Sequence, residues 1–274
     1  MAGRGAAILL GLALLGTAGL GSAAAAIAYP GSIAATGDSI TRAYNTGFIP
    51  YTDNPSASWS TGTNSAVDSQ YLRLLAVHPA ILGRNFNDAK SGARMTDLAG
   101  QMQVAASQRA AYVTVEMGGN DVCTSSESTM TSVASFRAQF SAAMNTITAA
   151  SRKALVSVSS IPNVYGLWSI FKDNGTARFV WSLFGVCQSM LANADSTAQA
   201  DVDRRARVLQ REKDFNDVLE SVCALYAQCR YDKGAVFNTV FTTADVTSRD
   251  YFHPSTAGQA KLAAVSWAAG YWGP

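Results

Sequence analysis

The chain has 274 residues, of which 48% are hydrophobic and 15% are charged. This composition is typical of a globular protein and argues against a disordered chain, while the length allows one sizeable domain with a complete core. The formal net charge is only +2, which gives no electrostatic basis for a nucleic-acid partner.

The N-terminal segment has the pattern of a secretory signal peptide. Arg4 is followed by an apolar run over residues 6–20 and by small residues over 23–26, which offer A-x-A cleavage sites. We therefore predict a signal peptide over residues 1–28, a mature domain over residues 29–274, and a secreted protein. An uncleaved N-terminal anchor is the alternative, although the apolar run is shorter than the roughly 20 residues that a membrane-spanning helix needs.

The predicted secretion would place the four cysteines in an oxidising compartment. They are Cys123, Cys187, Cys223 and Cys229. An even count in an oxidising compartment predicts disulfides, and four cysteines allow three pairings. The short separation favours a bond between Cys223 and Cys229, which leaves Cys123 to pair with Cys187. Zinc is the competing interpretation. The chain has no C-x-x-C pair and its two histidines lie far from the cysteines in sequence, so we expect no metal and no cofactor.

In the mature region, short apolar segments alternate with amphipathic ones. The strand candidates at 32–35, 112–117 and 154–161 are rich in apolar or β-branched residues, and weaker candidates cover 85–89 and 235–238. The helix candidates carry apolar residues three or four positions apart and cover about 71–75, 95–107, 136–147, 201–226 and 256–269. This alternation predicts an α/β fold, a three-layer α/β/α sandwich with a mostly parallel, flavodoxin-like central sheet. Such sheets hold their sites at the carboxyl ends of the strands.

Two clusters of chemically suggestive residues follow predicted strands. Gly-Asp-Ser at 37–39 comes after the first strand, where a glycine permits a tight turn and a serine at a helix start lies near amides that favour negative charge. Gly-Gly-Asn-Asp at 118–121 comes after the 112–117 strand, and the Asn120 amide can donate to an oxyanion. Each cluster also has a purely structural interpretation, with Ser39 as a helix cap and the second cluster as an ordinary turn.

A third cluster holds one of the two histidines. His253 follows Asp250 by three residues, so the carboxylate can reach the ring, fix its tautomer and leave the other nitrogen free to take a proton from a hydroxyl. His78 has no acidic neighbour and is better explained as a loop or helix-end residue. Ser39, Asn120, Asp250 and His253 therefore form a candidate hydrolytic site, in that chain order and without the G-x-S-x-G motif of α/β-hydrolases.

Four segments resemble the motif blocks of the SGNH (GDSL) hydrolases in order and spacing, namely ATGDSIT, AKSGARMTDL, VEMGGNDVC and DYFHPSTAGQAKLA. The resemblance covers nearly the whole mature chain and implies a serine esterase or lipase. It implies that Ser39 is the nucleophile, His253 the base and Asp250 the residue that orients the base. It further implies an oxyanion hole formed by the backbone N–H groups of Ser39 and Gly92 and by the side chain of Asn120.

Finer details of the resemblance concern the branch and the first motif. Residues 58–62, together with the GGNDVC segment, look more like the phospholipase-B-like branch than the short thioesterase branch. Asp38 belongs to the first motif, but it is structural in the family, so we do not count it as catalytic. Ile40 stands where the motif usually has leucine, a change with no obvious chemical effect.

The predicted substrate is a small-molecule or lipid ester. Residues 167–186 are aromatic and apolar, and two interpretations are open for them, namely ordinary core and loop packing and a wall or lid for a fatty acyl chain. We also expect transient contact with a lipid surface and a monomeric enzyme. A carbohydrate-directed acetylesterase would use the same residues, and an inactive secreted binding module is a third interpretation. A metal-dependent hydrolase is disfavoured because the two histidines lack a ligand-spaced partner.

Overall fold

In the computed structural model, which describes residues 1–3 and 27–273, five parallel strands form one sheet. Its strand order is β2-β1-β3-β4-β5, which is the order of a flavodoxin-like, doubly wound fold. The strands are β1 Ile33–Gly37, β2 Asn85–Asn87, β3 Tyr112–Glu116, β4 Leu155–Val158 and β5 Cys229–Tyr231. The predicted parallel sheet is therefore confirmed.

The central strands are covered on both faces, which explains why their sequences are almost continuously apolar. Every residue of β1 and β3 is buried, whereas β2 and β5 at the two edges of the sheet are only partly buried. β1 and β3 are paired from Ile33 with Tyr112 to Gly37 with Glu116. Their carboxyl ends therefore lie side by side, and the residues that follow the two strands meet at one edge.

Nine α-helices within the described residues surround the sheet, and five of them correspond to the predicted helices. They are α1 Gln70–Val77, α2 Leu98–Ser107, α3 Gly119–Val122, α4 Val133–Ala150, α5 Val164–Phe171, α6 Gly175–Leu183, α7 Gln188–Leu191, α8 Gln199–Cys223 and α9 Thr256–Ala268. Helices α2, α4 and α8 pack on one face, where Phe136 and Phe215 stack with ring centroids 4.0 Å apart. On the other face, Leu74 of α1 and Trp267 of α9 join Ile33 in a second apolar cluster. The predicted three-layer sandwich is confirmed.

One predicted strand is wrong. Residues 235–238 form a turn, and the fifth strand is the shorter segment Cys229–Tyr231 just before it. The Asp232 carboxylate explains the turn, because it accepts the backbone N–H groups of Gly234 and Val236 at 2.9 and 3.0 Å. Val236 is buried, so the apolar character of this segment reflects packing beneath a turn.

Two disulfides join Cys123 to Cys187 and Cys223 to Cys229, the pairing that the short separation favours. The first links the end of α3 to the residue before α7, and the second ties the end of α8 to the start of β5. On the chain-entropy account each bond stabilises the fold by roughly 2–4 kcal/mol, with the larger contribution from the longer loop.

The predicted signal peptide falls almost entirely outside the described part of the chain, which omits residues 4–26. Among the residues that are described, no helix is both long and apolar enough to cross a bilayer. The boundary between residues 28 and 29 stays a prediction.

Candidate active site

The site begins at the carboxyl ends of β1 and β3, where two glycines allow sharp turns. Gly37 has a φ of +150°, and a Cβ there would lie 2.4 Å from the carbonyl oxygen of Glu116. Gly118 has a φ of +128°, and a Cβ there would lie 2.5 Å from the side chain of Ile161. Only glycine fits at either position, so the two strands turn at the same edge of the sheet, which we call the site edge.

A hydrogen-bonded chain of three side chains lies at the site edge. The His253 Nε2 atom lies 2.8 Å from the Ser39 hydroxyl oxygen, and the Nδ1 atom lies 2.8 Å from the Asp250 Oδ2 atom. Ser39 follows β1, whereas Asp250 and His253 come from the loop before α9. The structure thus brings together three residues that the sequence analysis selected from distant stretches of the chain.

Local backbone geometry explains how Asp250 reaches the ring of His253. The Asp250 Oδ1 atom accepts the backbone N–H groups of Phe252 and His253 at 2.9 and 3.0 Å, which closes a tight turn around the carboxylate. The carbonyl oxygen of Tyr251, inside this turn, accepts the indole N–H of Trp181 at 3.1 Å. Burial acts to raise the pKa of Asp250, but the hydrogen bonds from His253 outweigh it and hold the pKa below its ordinary value. The carboxylate is therefore ionised beside the ring at neutral pH.

The two remaining predicted residues lie on the other side of Ser39. The Asn120 Nδ2 amide donates to the carbonyl oxygen of Ala93 at 3.0 Å and to the carboxylate of Asp38 at 3.4 Å. Gly92 precedes Ala93 in the turn after β2 and has a φ of +81°. Within the described residues, the backbone N–H groups of Ser39 and Gly92 donate no hydrogen bond. A side-chain amide and uncommitted N–H groups are the kinds of donor that stabilise an oxyanion.

Two buried acidic side chains lie beneath Ser39. The Asp38 Oδ1 atom accepts the backbone N–H of Ile40 at 2.9 Å, and burial raises the pKa of Asp38 to about 6 in spite of that hydrogen bond. Glu116, at the end of β3, is buried, and neither of its carboxylate oxygens has a hydrogen-bond partner among the described residues. Burial and the charge of Asp38 raise the pKa of Glu116 well above its ordinary value, which favours the neutral acid. Glu116 is not among the residues predicted from the sequence, where its only signal is an acidic residue inside an apolar strand.

A cavity of about 460 Å³ opens beside Ser39 and Asn120. Its two walls, which we call the cavity walls, are α5 with the segment before it and the loop after β5. Both walls are mostly apolar, with lining side chains that include Ile161, Val164, Leu167, Ile170, Phe237, Val240 and Phe241. An apolar cavity with a few polar groups at one end is typical of a site that binds a small molecule.

Buried polar side chains of α8 hold the first cavity wall. Glu212 accepts the backbone N–H of Val164 at 3.1 Å, at the start of α5, and Asn216 accepts the backbone N–H of Ile161 at 2.8 Å. Burial raises the pKa of Glu212 well above its ordinary value in spite of the backbone hydrogen bond. This pair is not among the residues predicted from the sequence, where its only signal is two polar residues close to the apolar face of a long helix.

The apolar stretch 167–186 divides between the cavity and the core. Leu167 and Ile170 line the cavity, as the interpretation as an acyl wall predicts. Trp168 and Trp181 are buried in the main core, as the packing alternative predicts. The stretch belongs to two helices, α5 and α6, and only α5 reaches the cavity.

Residues 58–62, whose sequence is similar to the phospholipase-B-like branch, form a buried support near the site. The backbone N–H of Trp59 donates to Gln259 of α9 at 2.9 Å, and the hydroxyl oxygens of Ser60 and Thr114 lie 2.7 Å apart. These contacts give residues 58–62 a role in packing. The assignment to the phospholipase-B-like branch stays a prediction.

Comparisons with known proteins identify the family. The profile described as GDSL-like lipase/acylhydrolase matches residues 33–265. None of the curated proteins matches the chain significantly. Among solved structures, the chain is similar to LAE5, an alpha/beta hydrolase enzyme from the metagenome of Lake Arreo, Spain, with 16% identity and a TM-score of 0.52 over 89% of this chain and 96% of that chain. It is also similar to a family 3 carbohydrate esterase of Clostridium thermocellum, with 13% identity and a TM-score of 0.49 over 86% and 92%.

The likeness to LAE5 supports the fold alone, because the identity is low. The family match has a wider meaning, since it spans most of the chain and includes all the residues of the site edge. The chain therefore belongs to the GDSL-like lipase/acylhydrolase family and is an enzyme of the hydrolase class.

Proposed function

We propose that this chain is a serine esterase in which Ser39 attacks the ester carbonyl, His253 acts as the base and Asp250 orients the imidazole. The observation that carries the proposal is the hydrogen-bonded chain from the Ser39 hydroxyl through the His253 ring to the Asp250 carboxylate, with 2.8 Å at each step. Because Nδ1 faces an ionised carboxylate, it holds the ring proton and leaves Nε2 free to accept the proton of the serine.

The proposed reaction passes through a covalent acyl-enzyme. The Ser39 oxygen bonds to the ester carbon as His253 takes the hydroxyl proton, and the carbonyl oxygen becomes an oxyanion. The imidazolium then gives its proton to the leaving alkoxide, which departs as the alcohol. In the second half, His253 takes a proton from water as the water oxygen bonds to the acyl carbon. The imidazolium then returns that proton to the Ser39 oxygen as the bond between Ser39 and the acyl group breaks, and the carboxylic acid leaves.

We assign the oxyanion to the backbone N–H groups of Ser39 and Gly92 and to the amide of Asn120. The contact between Asn120 and Asp38 is long, at 3.4 Å, so one amide hydrogen can turn toward the oxyanion while the other stays on the carbonyl oxygen of Ala93. Catalytic hydrogen bonds commonly tighten only when the reacting group is present.

The apolar cavity supports an ester with a hydrocarbon acyl chain as the substrate, which includes lipid esters. Hydrolysis of p-nitrophenyl esters of increasing chain length tests this assignment. We expect kcat/KM to rise from the acetate to chains of several carbons, because each added methylene that is buried contributes about 0.8 kcal/mol. Much faster cleavage of the acetate would reject the assignment and favour a carbohydrate-directed acetylesterase.

We propose that the monomeric enzyme meets water-insoluble esters through an exposed apolar surface near the site. Phe48 and Ile49 are 98% and 64% exposed, and the ring of Tyr51 lies 5.9 Å from the ring of Phe184. Residues 43–52 carry no charge, which suits contact with a lipid surface. The enzyme should float with phosphatidylcholine vesicles, and the double variant Phe48→Ser, Ile49→Ser should not. Equal flotation of the two proteins would reject the surface.

Labelling with a fluorophosphonate probe tests the serine mechanism. The wild-type enzyme should be labelled, and Ser39→Ala should be unlabelled and lose activity by on the order of 10⁴-fold or more. Ser169→Ala is a matched control, because Ser169 lines the same cavity without contacting His253. Labelling that persists in Ser39→Ala contradicts the proposal, and an inactive binding module predicts no labelling of the wild-type chain.

We also propose that residues 1–28 direct secretion and are then removed. Two disulfides in the mature region support this, since such bonds persist in oxidising compartments. N-terminal sequencing of protein recovered from the culture medium should find a start near residue 29. Protein that stays in the cells and begins at Met1 would contradict the assignment.

A further inference from the structure

The Asp250 carboxylate receives one hydrogen bond from a distant part of the chain. Within the described residues it has four donors, and three of them belong to Phe252 and His253. The fourth is the side-chain amide of Asn45, whose Nδ2 atom lies 2.5 Å from Asp250 Oδ2. This is the same oxygen that faces His253 Nδ1, so the amide and the imidazole share one acceptor.

Asn45 is itself held firmly in place. It is 2% exposed, and its φ of +66° lies in the left-handed region that asparagine tolerates better than most residues. Its backbone N–H donates to the carbonyl oxygen of Thr52 at 3.0 Å, and its own carbonyl oxygen accepts the guanidinium of Arg249 at 3.0 Å. Arg249 precedes Asp250, so the backbone of Asn45 is tied to the same loop as its side chain.

The orientation of the Asn45 amide follows from its second partner. The backbone N–H of Tyr51 donates to the Asn45 Oδ1 atom at 2.5 Å. Because a backbone N–H can only donate, the atom that faces Tyr51 must be the oxygen, and the atom that faces Asp250 must be the nitrogen. The donor therefore points at the carboxylate by necessity.

We propose that Asn45 is a positioning residue of this hydrolase, which acts through Asp250 to hold the His253 ring against Ser39. The inference rests on the proposed serine mechanism. Asn45 lies six residues after Ser39, on the chain segment that carries the nucleophile, and its amide donates a hydrogen bond to the turn that carries the base. The contact thus fixes the position of Ser39 relative to Asp250 and His253. This matters because small displacements of reacting groups lower a reaction rate steeply.

Two variants separate positioning from loop support. Asn45→Gly removes the amide but tolerates the positive φ, and it should lower kcat by on the order of ten- to a hundred-fold with little change in KM. Asn45→Asp keeps the shape and the acceptor for the Tyr51 N–H, but at about pH 8 it sets a second carboxylate against Asp250. We expect the larger loss of kcat in Asn45→Asp, whereas a residue that only supports its loop would tolerate this change.

Asn54→Ala is the matched control, because the Asn54 amide binds Thr46 in the same loop at 3.1 Å without reaching Asp250. It should keep the kcat of the wild-type enzyme. Each rate is divided by the concentration of active sites titrated with fluorophosphonate, so that unfolded protein does not count. Equal losses in Asn54→Ala and Asn45→Gly, or a near-normal kcat in Asn45→Asp, would overturn the inference. Activity that survives Ser39→Ala would instead reject the serine mechanism on which it rests.

Discussion

The site edge and the cavity walls are built in different ways. At the edge, the Ser39 hydroxyl, the His253 ring and the Asp250 carboxylate are each fixed by short hydrogen bonds, and Asp250 alone has four donors within the described residues. The walls present apolar side chains such as Leu167 and Ile170, which are only partly buried and line open space. Polar anchors hold the backbone behind the walls but leave these side chains without directional partners.

This difference indicates which region should set the reaction rate and which should set the selectivity for the acyl chain. Hydrogen-bonded groups with fixed geometry act on the reacting atoms, so a change at the edge should alter kcat for every ester. Apolar wall contacts scale with the area of the acyl group, so a change there should alter only the preference for chain length. A change at the edge that shifts the chain-length preference, or a wall change that slows all esters, would break this division.

Among the changes that keep Ser39, Asp250→Asn should have the largest effect. The backbone N–H groups of Phe252 and His253 require an acceptor at the Oδ1 position, so the new amide would turn its NH₂ group toward His253 Nδ1. The ring would then carry its proton on Nε2 and could not accept one from Ser39. We expect kcat to fall by about 10⁴-fold for short and long esters alike, measured with p-nitrophenyl substrates.

A loss of less than tenfold in Asp250→Asn would show that the carboxylate is not needed to set the tautomer. Near-ultraviolet circular dichroism of the variant checks that the turn before α9 is still folded. Asp173→Asn, a change in an exposed carboxylate outside the site, provides the matched control and should keep full activity.

Asn120→Ala should have the next largest effect, a loss of about 10²–10³-fold in kcat with KM nearly unchanged. Its amide is proposed to bind the oxyanion, which exists only after Ser39 has attacked. Asn238→Ala is the control, because Asn238 lines the same cavity from the far wall. If Asn120→Ala raised KM and left kcat intact, the amide would bind the substrate instead of the oxyanion.

Asp38→Asn tests how much the buried carboxyl group at the site edge lowers the free energy of unfolding. Burial raises the pKa of Asp38 from 3.8 in the unfolded chain to about 6 in the folded protein. The carboxyl group therefore contributes most to the stability of the wild-type protein below the unfolded pKa, and this contribution is lost as the pH rises through the folded pKa. The variant is neutral at every pH, so its stability relative to wild type should rise by up to about 3 kcal/mol between about pH 4 and about pH 8. Urea unfolding at several pH values measures this difference, and a pH-independent difference would contradict it.

The edge was predictable from the sequence, while its supports were not. Ser39 and Asn120 follow strands that apolar patterning reveals, and a sheet of parallel strands brings such ends together. Asp250 and His253 are three residues apart, so one turn suffices to join them. Asn45 and Glu212 carry no comparable signal, because their partners lie 205 and 48 positions away and only the folded chain brings them together. The strand predicted at 235–238 is wrong for the same reason, since the turn found there depends on hydrogen bonds to the buried carboxylate of Asp232.

Leu167→Ala should have the smallest effect, and it tests the walls directly. Leu167 lines the cavity, so removing its side chain deletes apolar contact with an acyl chain and nothing at the reacting atoms. We expect kcat/KM for long-chain esters to fall by about tenfold, with the acetate unaffected. Leu183→Ala is the control, because Leu183 is 61% exposed on α6 and lies outside the cavity. An equal loss on the acetate would mean that the wall also supports the edge, and the two regions would then have to be treated as one.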